Sequence, residues 1–181
     1  MLFRRVRILS LLRRARLARG AGHLADAGER FKHAVSISRQ ARSKRCLVSA
    51  LKGVAQIERD SGRAADSIPF YEEAVLLCRE IGDPLLQAHT IRHLGDAYQD
   101  VESREQAAEC YEEALSLYRE SGDAGRLDLA NAVRPFAILK ERMGDTAGAV
   151  ELWTEAHRLY SSVNVQAGID ESTTHLQGLG G

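Results

Sequence analysis

The sequence predicts an all-α solenoid of about four helix pairs with a helix capping its C-terminal end. Three observations predict it: a phrase that nearly repeats, columns of small and aromatic residues in register with the repeat, and helical spacing without sustained strand alternation. FYEEAVLLCREIGD, from Phe70 to Asp83, and CYEEALSLYRESGD, from Cys110 to Asp123, agree at nine of fourteen positions and lie 40 residues apart. The alignment extends well beyond the phrase. Segments starting at Leu11, Leu51, Ile91 and Val133 superimpose with offsets of 40, 40 and 42 residues.

The columns of this alignment carry the packing. Ala15, Ala55, Gly95 and Ala137 form one; Ala27, Ser67, Ala107 and Ala149 a second; Ala34, Ala74, Ala114 and Ala156 a third. Small residues let helices approach closely, and a fourth column of Phe31, Tyr71, Tyr111 and Trp153 supplies rings to fill the space beside them. Each unit reads as two helices. In the third unit Ile91, Leu94, Gly95 and Tyr98 share one helical face, and Ala107, Tyr111, Ala114 and Tyr118 repeat that spacing. Asp83 before Pro84 is a helix start, and Gly82, Gly122 and Gly144 are placed to end helices. The first unit is the most degenerate, with Arg14 where a large apolar residue is expected. Pro135 falls inside the first helix of the fourth unit. It predicts a kink or a fresh helix start at 131–135, a free Asn131 carbonyl, and a groove widened beside Ile138 into an apolar pocket. Val165, Ile169 and Leu176 share one face of a final segment suited to capping the stack, with Asp170, Glu171 and Thr174 facing elsewhere.

This pattern resembles the tetratricopeptide repeat (TPR), whose helix-pair signature has three small positions and one aromatic position in this order. The usual period of about 34 residues is shorter than the one found here. The longer-helix variants, such as those of kinesin light chains and many bacterial regulatory proteins, are the nearer likeness. HEAT repeats have periods near 40 but lack this register. The resemblance implies a right-handed α-α superhelix in one domain spanning 1–181. Its repeats are expected at about 8–47, 48–87, 88–129 and 130–163, and its capping helix at about 164–178.

Composition bounds the function. Of 181 residues, 44% are apolar and 28% charged, with 25 basic and 25 acidic, so bulk charge does not suggest a nucleic-acid protein. The zero balance hides an asymmetry: the first 20 residues hold seven arginines and no acid. Cys46, Cys78 and Cys110 form no CxxC pair and read as reduced, buried residues of a cytoplasmic chain. There is no Gly-rich phosphate loop and no GxSxG. Glu72–Glu73 and Glu112–Glu113 read as solvated surface and not as an acid/base pair. No enzymatic activity and no cofactor are expected.

With the packing columns set aside, the first helix of each pair keeps a polar stripe. In the third unit it is His89, Arg92, His93, Asp96, Gln99 and Asp100; in the second, Ser49, Lys52, Gln56 and Asp60; in the fourth, Asn131, Arg134, Ile138 and Arg142. The resemblance implies that this face lines a concave peptide-binding groove. Candidate ligand contacts are therefore Lys52, Gln56, His89, Arg92, Asp96, Gln99, Asn131, Arg134 and Ile138. Lys52, Arg92 and Arg134 are equivalent positions, with Leu12 in the first unit. They would form a cation ladder for the carboxylates of an acidic or C-terminal peptide. The family's carboxylate clamp is matched only in part, because Gln56 and Asp96 stand where it has Asn. The plainer alternative is a solvated face whose cations pair with Asp60, Asp96 and Asp100. His89, His93 and Asp96 have metal-compatible spacing but are read as groove polarity. The Arg4–Arg19 segment reads as a degenerate first repeat. The alternative is an anchor on membrane or nucleic acid, with the repeats recruiting a partner.

Overall fold

The computed structural model describes residues 2–121 and 125–180; the side chains of residues 2–4 fall outside it. Gly122, expected to stop a helix, and the side chain of Arg4 therefore lie outside the described residues. Nine helices and no strand occupy the described part. They are α1 (Leu2–Gly20), α2 (Leu24–Gln40), α3 (Lys44–Asp60), α4 (Ala64–Ile81), α5 (Pro84–Asp100), α6 (Arg104–Ser121), α7 (Arg126–Arg142), α8 (Thr146–Ser162) and α9 (Gln166–Leu179). Each packs on the next in chain order, and in addition α1 reaches α3 and α5 reaches α7. Four antiparallel pairs and a final helix thus stack as an α-α superhelix. The odd-numbered helices form one wall and the even-numbered helices the other.

The small columns explain the close stacking. All twelve residues are buried, eleven of them at 0% exposure and Gly95 within the buried face of α5. Phe31, Tyr71, Tyr111 and Trp153 are at most 2% exposed. A pair cannot bury its apolar stripe alone, so each unit buries its neighbour's, and the same packing problem recurs with the same solution. Helix ends follow local chemistry. The Asp83 carboxylate accepts from Leu86 N at 3.0 Å with Pro84 at the first position, and Gly82 closes α4 at φ +69°. The turns inside the pairs share a column: Gly22, Gly62, Glu102 and Gly144 all have positive φ, so Glu102 holds a conformation that three units assign to glycine.

The even-numbered wall explains the polar letters of the repeated phrase. Arg39 bonds Glu73 at 2.7 Å, Arg79 bonds Glu113 at 3.1 Å, and Arg119 bonds Glu155 at 2.7 Å. Each second helix thus passes one arginine to a glutamate of the next second helix. Glu73 and Glu113 are not merely solvated, and Glu72 accepts from Tyr98 Oη at 3.0 Å. Such exposed pairs contribute little individually, roughly 0–1 kcal/mol.

One expectation is narrowed. Helix α7 runs without a break from Arg126 to Arg142 with Pro135 inside it, so there is no fresh start at 131–135. Intact turns on both sides hold the segment helical although proline removes one bond. The final helix buries the face marked by its apolar residues: Gly168 and Ser172 are buried on it, and Val165, Ile169 and Leu176 pack against the core beside them. The Tyr160 ring lies so close to Gly168 that a Cβ there would stand 2.6 Å from its Cδ1. The first pair is well seated, since Ile8, Leu12 and Ala15 of α1 are 0–2% exposed. Cys46, Cys78 and Cys110 are free thiols, the first two buried and the third half-buried.

Candidate functional site

The nine candidate residues lie on the odd-numbered wall, where the structure divides them between two cavities. Arg92, Asp96, Gln99, Asn131, Arg134 and Ile138 line one of about 370 Å3 between α5 and α7. Lys52, Gln56 and His89 line another of about 290 Å3 between α1, α3 and α5.

In the larger cavity Asp96 is the hub. Its carboxylate accepts from Tyr111 Oη at 2.9 Å and from His93 Nδ1 at 3.1 Å, with Arg92 and Arg59 each 3.7 Å away. Burial works to raise its pKa. The His93 bond and the charges of Arg92 and Arg59 outweigh that, and it stays below the usual carboxylate range. Arg59, from the end of α3, also bonds Asp100 at 2.7 Å. Arg134 makes two 2.5 Å bonds to Glu171 of α9, a bidentate pair. Arg92 is the least firmly held cation. Beyond the distant Asp96 it donates to His93 Nε2 at 2.8 Å and reaches the Asn131 carbonyl at 3.4 Å. That carbonyl is the one Pro135 leaves without an N–H partner, so the freed acceptor is taken by the neighbouring helix. The Asn131 side chain accepts from Tyr160 Oη at 3.0 Å. Pro135 and Ile138 add an apolar edge to a cavity that is otherwise polar.

The smaller cavity is chemically different. Lys52 Nζ donates to His89 Nδ1 at 2.7 Å, and the His89 and His93 rings meet edge-on at 4.7 Å. Burial lowers the Lys52 pKa to about 8, and Arg92 and Arg16 push the same way. Burial, then the Lys52 charge, depresses His89 to about 3; burial and Arg92 depress His93 to about 4 against the pull of Asp96. Among the described residues no group of three His, Cys, Asp or Glu is placed to hold a metal ion.

The cation ladder is therefore not three free charges. Lys52 is tied to His89, Arg92 leans on Asp96, and Arg134 is paired with Glu171. A solvated face would pair these cations with Asp60, Asp96 and Asp100, yet Asp60 bonds Arg19 at 2.5 Å and Asp100 bonds Arg59. Sequence reasoning misses Arg59, Tyr111 and Glu171 as site residues. Arg19 and Arg59 do occupy one repeat column, each followed by a partner 41 residues on, which is a readable signal.

The neutral histidines carry a prediction. The folded chain holds both rings deprotonated while the unfolded chain protonates them near pH 6.5. This contribution to stability is present above pH 6.5 and is lost as pH falls toward the folded values of about 3 and 4. The denaturation midpoint should fall on acidification from about pH 7 to about pH 4.5. A His89→Gln, His93→Gln variant should show a shallower fall, and equal slopes would refute the assignment.

The fold and the wall define a class, the superhelical helix-pair solenoids. The family model for the tetratricopeptide repeat matches residues 46–120, and a model for anaphase-promoting complex subunit 5 matches residues 7–61. Solved structures extend the likeness along the chain. The kinesin light chain nearly identical TPR-like repeats of Podosopora anserina are 16% identical, with 96% of this chain and 94% of that one covered at a TM-score of 0.74. The apo form of RapI is 11% identical at a TM-score of 0.84, with 92% of this chain and 60% of that one covered. Aspartyl phosphate phosphatase F from Bacillus subtilis is 14% identical at 0.83, with 96% and 49% covered. At these identities the structures speak for the fold alone. No curated protein sequence matches the chain. Residues 46–120 thus match the tetratricopeptide repeat, and the chain as a whole has the fold of TPR-like solenoids.

Proposed function

We propose that this chain is a non-catalytic, cytoplasmic interaction module, a single solenoid domain that binds a peptide segment of a partner protein along its odd-numbered wall. The observation that carries this is the cavity between α5 and α7. There the loosely held Arg92 stands beside Pro135 and Ile138, offering a donor fork and an apolar edge together. A ligand with one hydrophobic side chain next to an acidic residue matches that pairing. Gln99, Asn131 and Arg134 border the same space; Lys52, Gln56 and His89 extend the wall toward α1. Among the described residues no helix is long and apolar enough to cross a membrane.

A labelled acidic peptide carrying a single leucine, titrated by fluorescence anisotropy, tests this. Arg92→Glu and Ile138→Ser are each expected to weaken binding about tenfold, near 1.4 kcal/mol. Binding should also weaken with salt. Equal affinity for an uncharged peptide of the same length, or an unaffected Ile138→Ser, would sink the reading.

The second reading, an anchored factor, is favoured by one observation. Of six exposed large hydrophobic residues among the described ones, Val6, Leu9 and Leu17 lie on α1, among arginines. Deleting this segment would unpack Ile8, Leu12 and Ala15, so substitution is the cleaner test. Arg13→Glu with Arg14→Glu should abolish binding to anionic vesicles, if there is any, and spare peptide binding.

A further inference from the structure

The cavity between α1, α3 and α5 differs in charge from the rest of the wall. Arg16, Arg19, Ser49, Lys52, His89 and His93 line it, and no carboxylate does. Arg19 is neutralised by Asp60, which it grips through two nitrogens at 2.5 and 3.3 Å. Arg16 and Lys52 have no acidic partner among the described residues. Lys52 is held only by the neutral His89, and its charged neighbours are the cations Arg16 and Arg92. A half-buried ammonium among cations costs free energy unless a ligand offsets it. With Lys52 donating to Nδ1, the neutral His89 ring carries its proton on Nε2, a further donor. Ser49 lines the same space with a hydroxyl that rests on the Arg45 carbonyl at 3.2 Å, and Gln56 with an amide that gives one of its two hydrogens to Asp60 at 2.8 Å.

We propose that this cavity is an anion-binding site for a phosphomonoester dianion. Two uncompensated cations match a double negative charge, whereas a single carboxylate would leave one of them unanswered. The further donors suit the oxygens of a phosphoryl group. The site is separate from the Ile138 cavity, and neither needs the other to be occupied.

The test is calorimetric titration of the full chain with three probes: inorganic phosphate, a phosphoserine hexapeptide, and the same peptide with glutamate in place of phosphoserine. The phosphoserine peptide should bind at least tenfold more tightly than the glutamate peptide. Comparison with inorganic phosphate then separates the two sources: a gain for the peptide assigns a phosphorylated partner, and parity assigns a free phosphate. Lys52→Gln and the more exposed Arg16→Gln should each cost about tenfold, while Arg119→Gln on the opposite wall should leave binding unchanged. Affinity should rise as the phosphoserine loses its second proton near pH 6 and fall above about pH 8, where Lys52 loses its own. Equal binding of the phosphoserine and glutamate peptides, no binding of any probe, or an unaffected Arg16→Gln would overturn the assignment. The Arg92 and Ile138 variants should leave phosphate binding within a few-fold, so failure here is distinguishable from failure of the peptide reading.

Discussion

Trp153→Ala is expected to lower stability by about 3–5 kcal/mol, the largest effect of any single substitution in this chain. Trp153 is fully buried in α8 and joins three helices. Its indole N–H donates to Glu141 of α7, and its ring stacks on His175 of α9 at 4.2 Å. His175 bonds the same Glu141 through Nδ1 at 2.8 Å. Alanine would leave a cavity at the last interface of the stack and strip Glu141 of one donor. The loss should therefore spread to the capping helix and, through Arg134–Glu171, to the wall of the larger cavity. Thermal unfolding should shift by roughly 10 °C, at about 2–4 °C per kcal/mol for a chain of this length. Amide exchange should rise first in α9. Trp153→Phe, which keeps most of the volume, should cost much less. A melting temperature unchanged in Trp153→Ala would refute the proposed role of this column.

Gly53→Ala is expected to destabilise by about 1–3 kcal/mol, although alanine is the better helix former by about 1 kcal/mol. Gly53 lies in the middle of α3, and the Phe31 ring of α2 covers its backbone. A Cβ at this position would stand 2.6 Å from Phe31 Cγ and closer still to Cδ1 and Cε1. Phe31 is itself only 2% exposed, so the ring has little room to retreat. Gly20, at the end of α1, serves as the control, because a methyl group there would meet nothing within 4 Å. Gly20→Ala should be neutral or slightly stabilising. If both substitutions raise the melting temperature alike, the close approach at Gly53 does not limit the packing.

The fold was legible because its determinants are local and repeated. Ala34, Ala74, Ala114 and Ala156 share a column, and all four are fully buried. Asp83–Pro84 and Gly82 could be read as start and stop because capping acts within one turn of the residues that make it. Local rules failed where they met a cooperative structure. Pro135 breaks one hydrogen bond, but turns on either side keep α7 whole, so the fresh start is absent while the freed Asn131 carbonyl and a cavity edged by Ile138 are present. In α9 the large apolar residues marked the packed face correctly; what they did not show is that Gly168 and Ser172 form its deepest part, because the Tyr160 ring fills the space that a larger side chain would need.

The candidate site was legible only as a face. Periodicity alone placed Lys52, Arg92 and Arg134 on the odd-numbered wall, because residues three and four apart share a side of a helix. Which charge meets which was decided by the tertiary structure. The partners lie 34 to 41 residues apart, as in Arg39–Glu73, Arg134–Glu171 and Arg59–Asp100. Their meeting depends on how far each helix pair is rotated and shifted against the next. The small and aromatic columns set that rotation by volume, without reference to charge. The sequence by itself thus determined the repeat, its register and the wall that carries the polar stripe. Only the stacked structure decided that Arg134 is consumed by α9, that Arg92 stays loosely held, and that Lys52 is half-buried beside Arg16 without an acid.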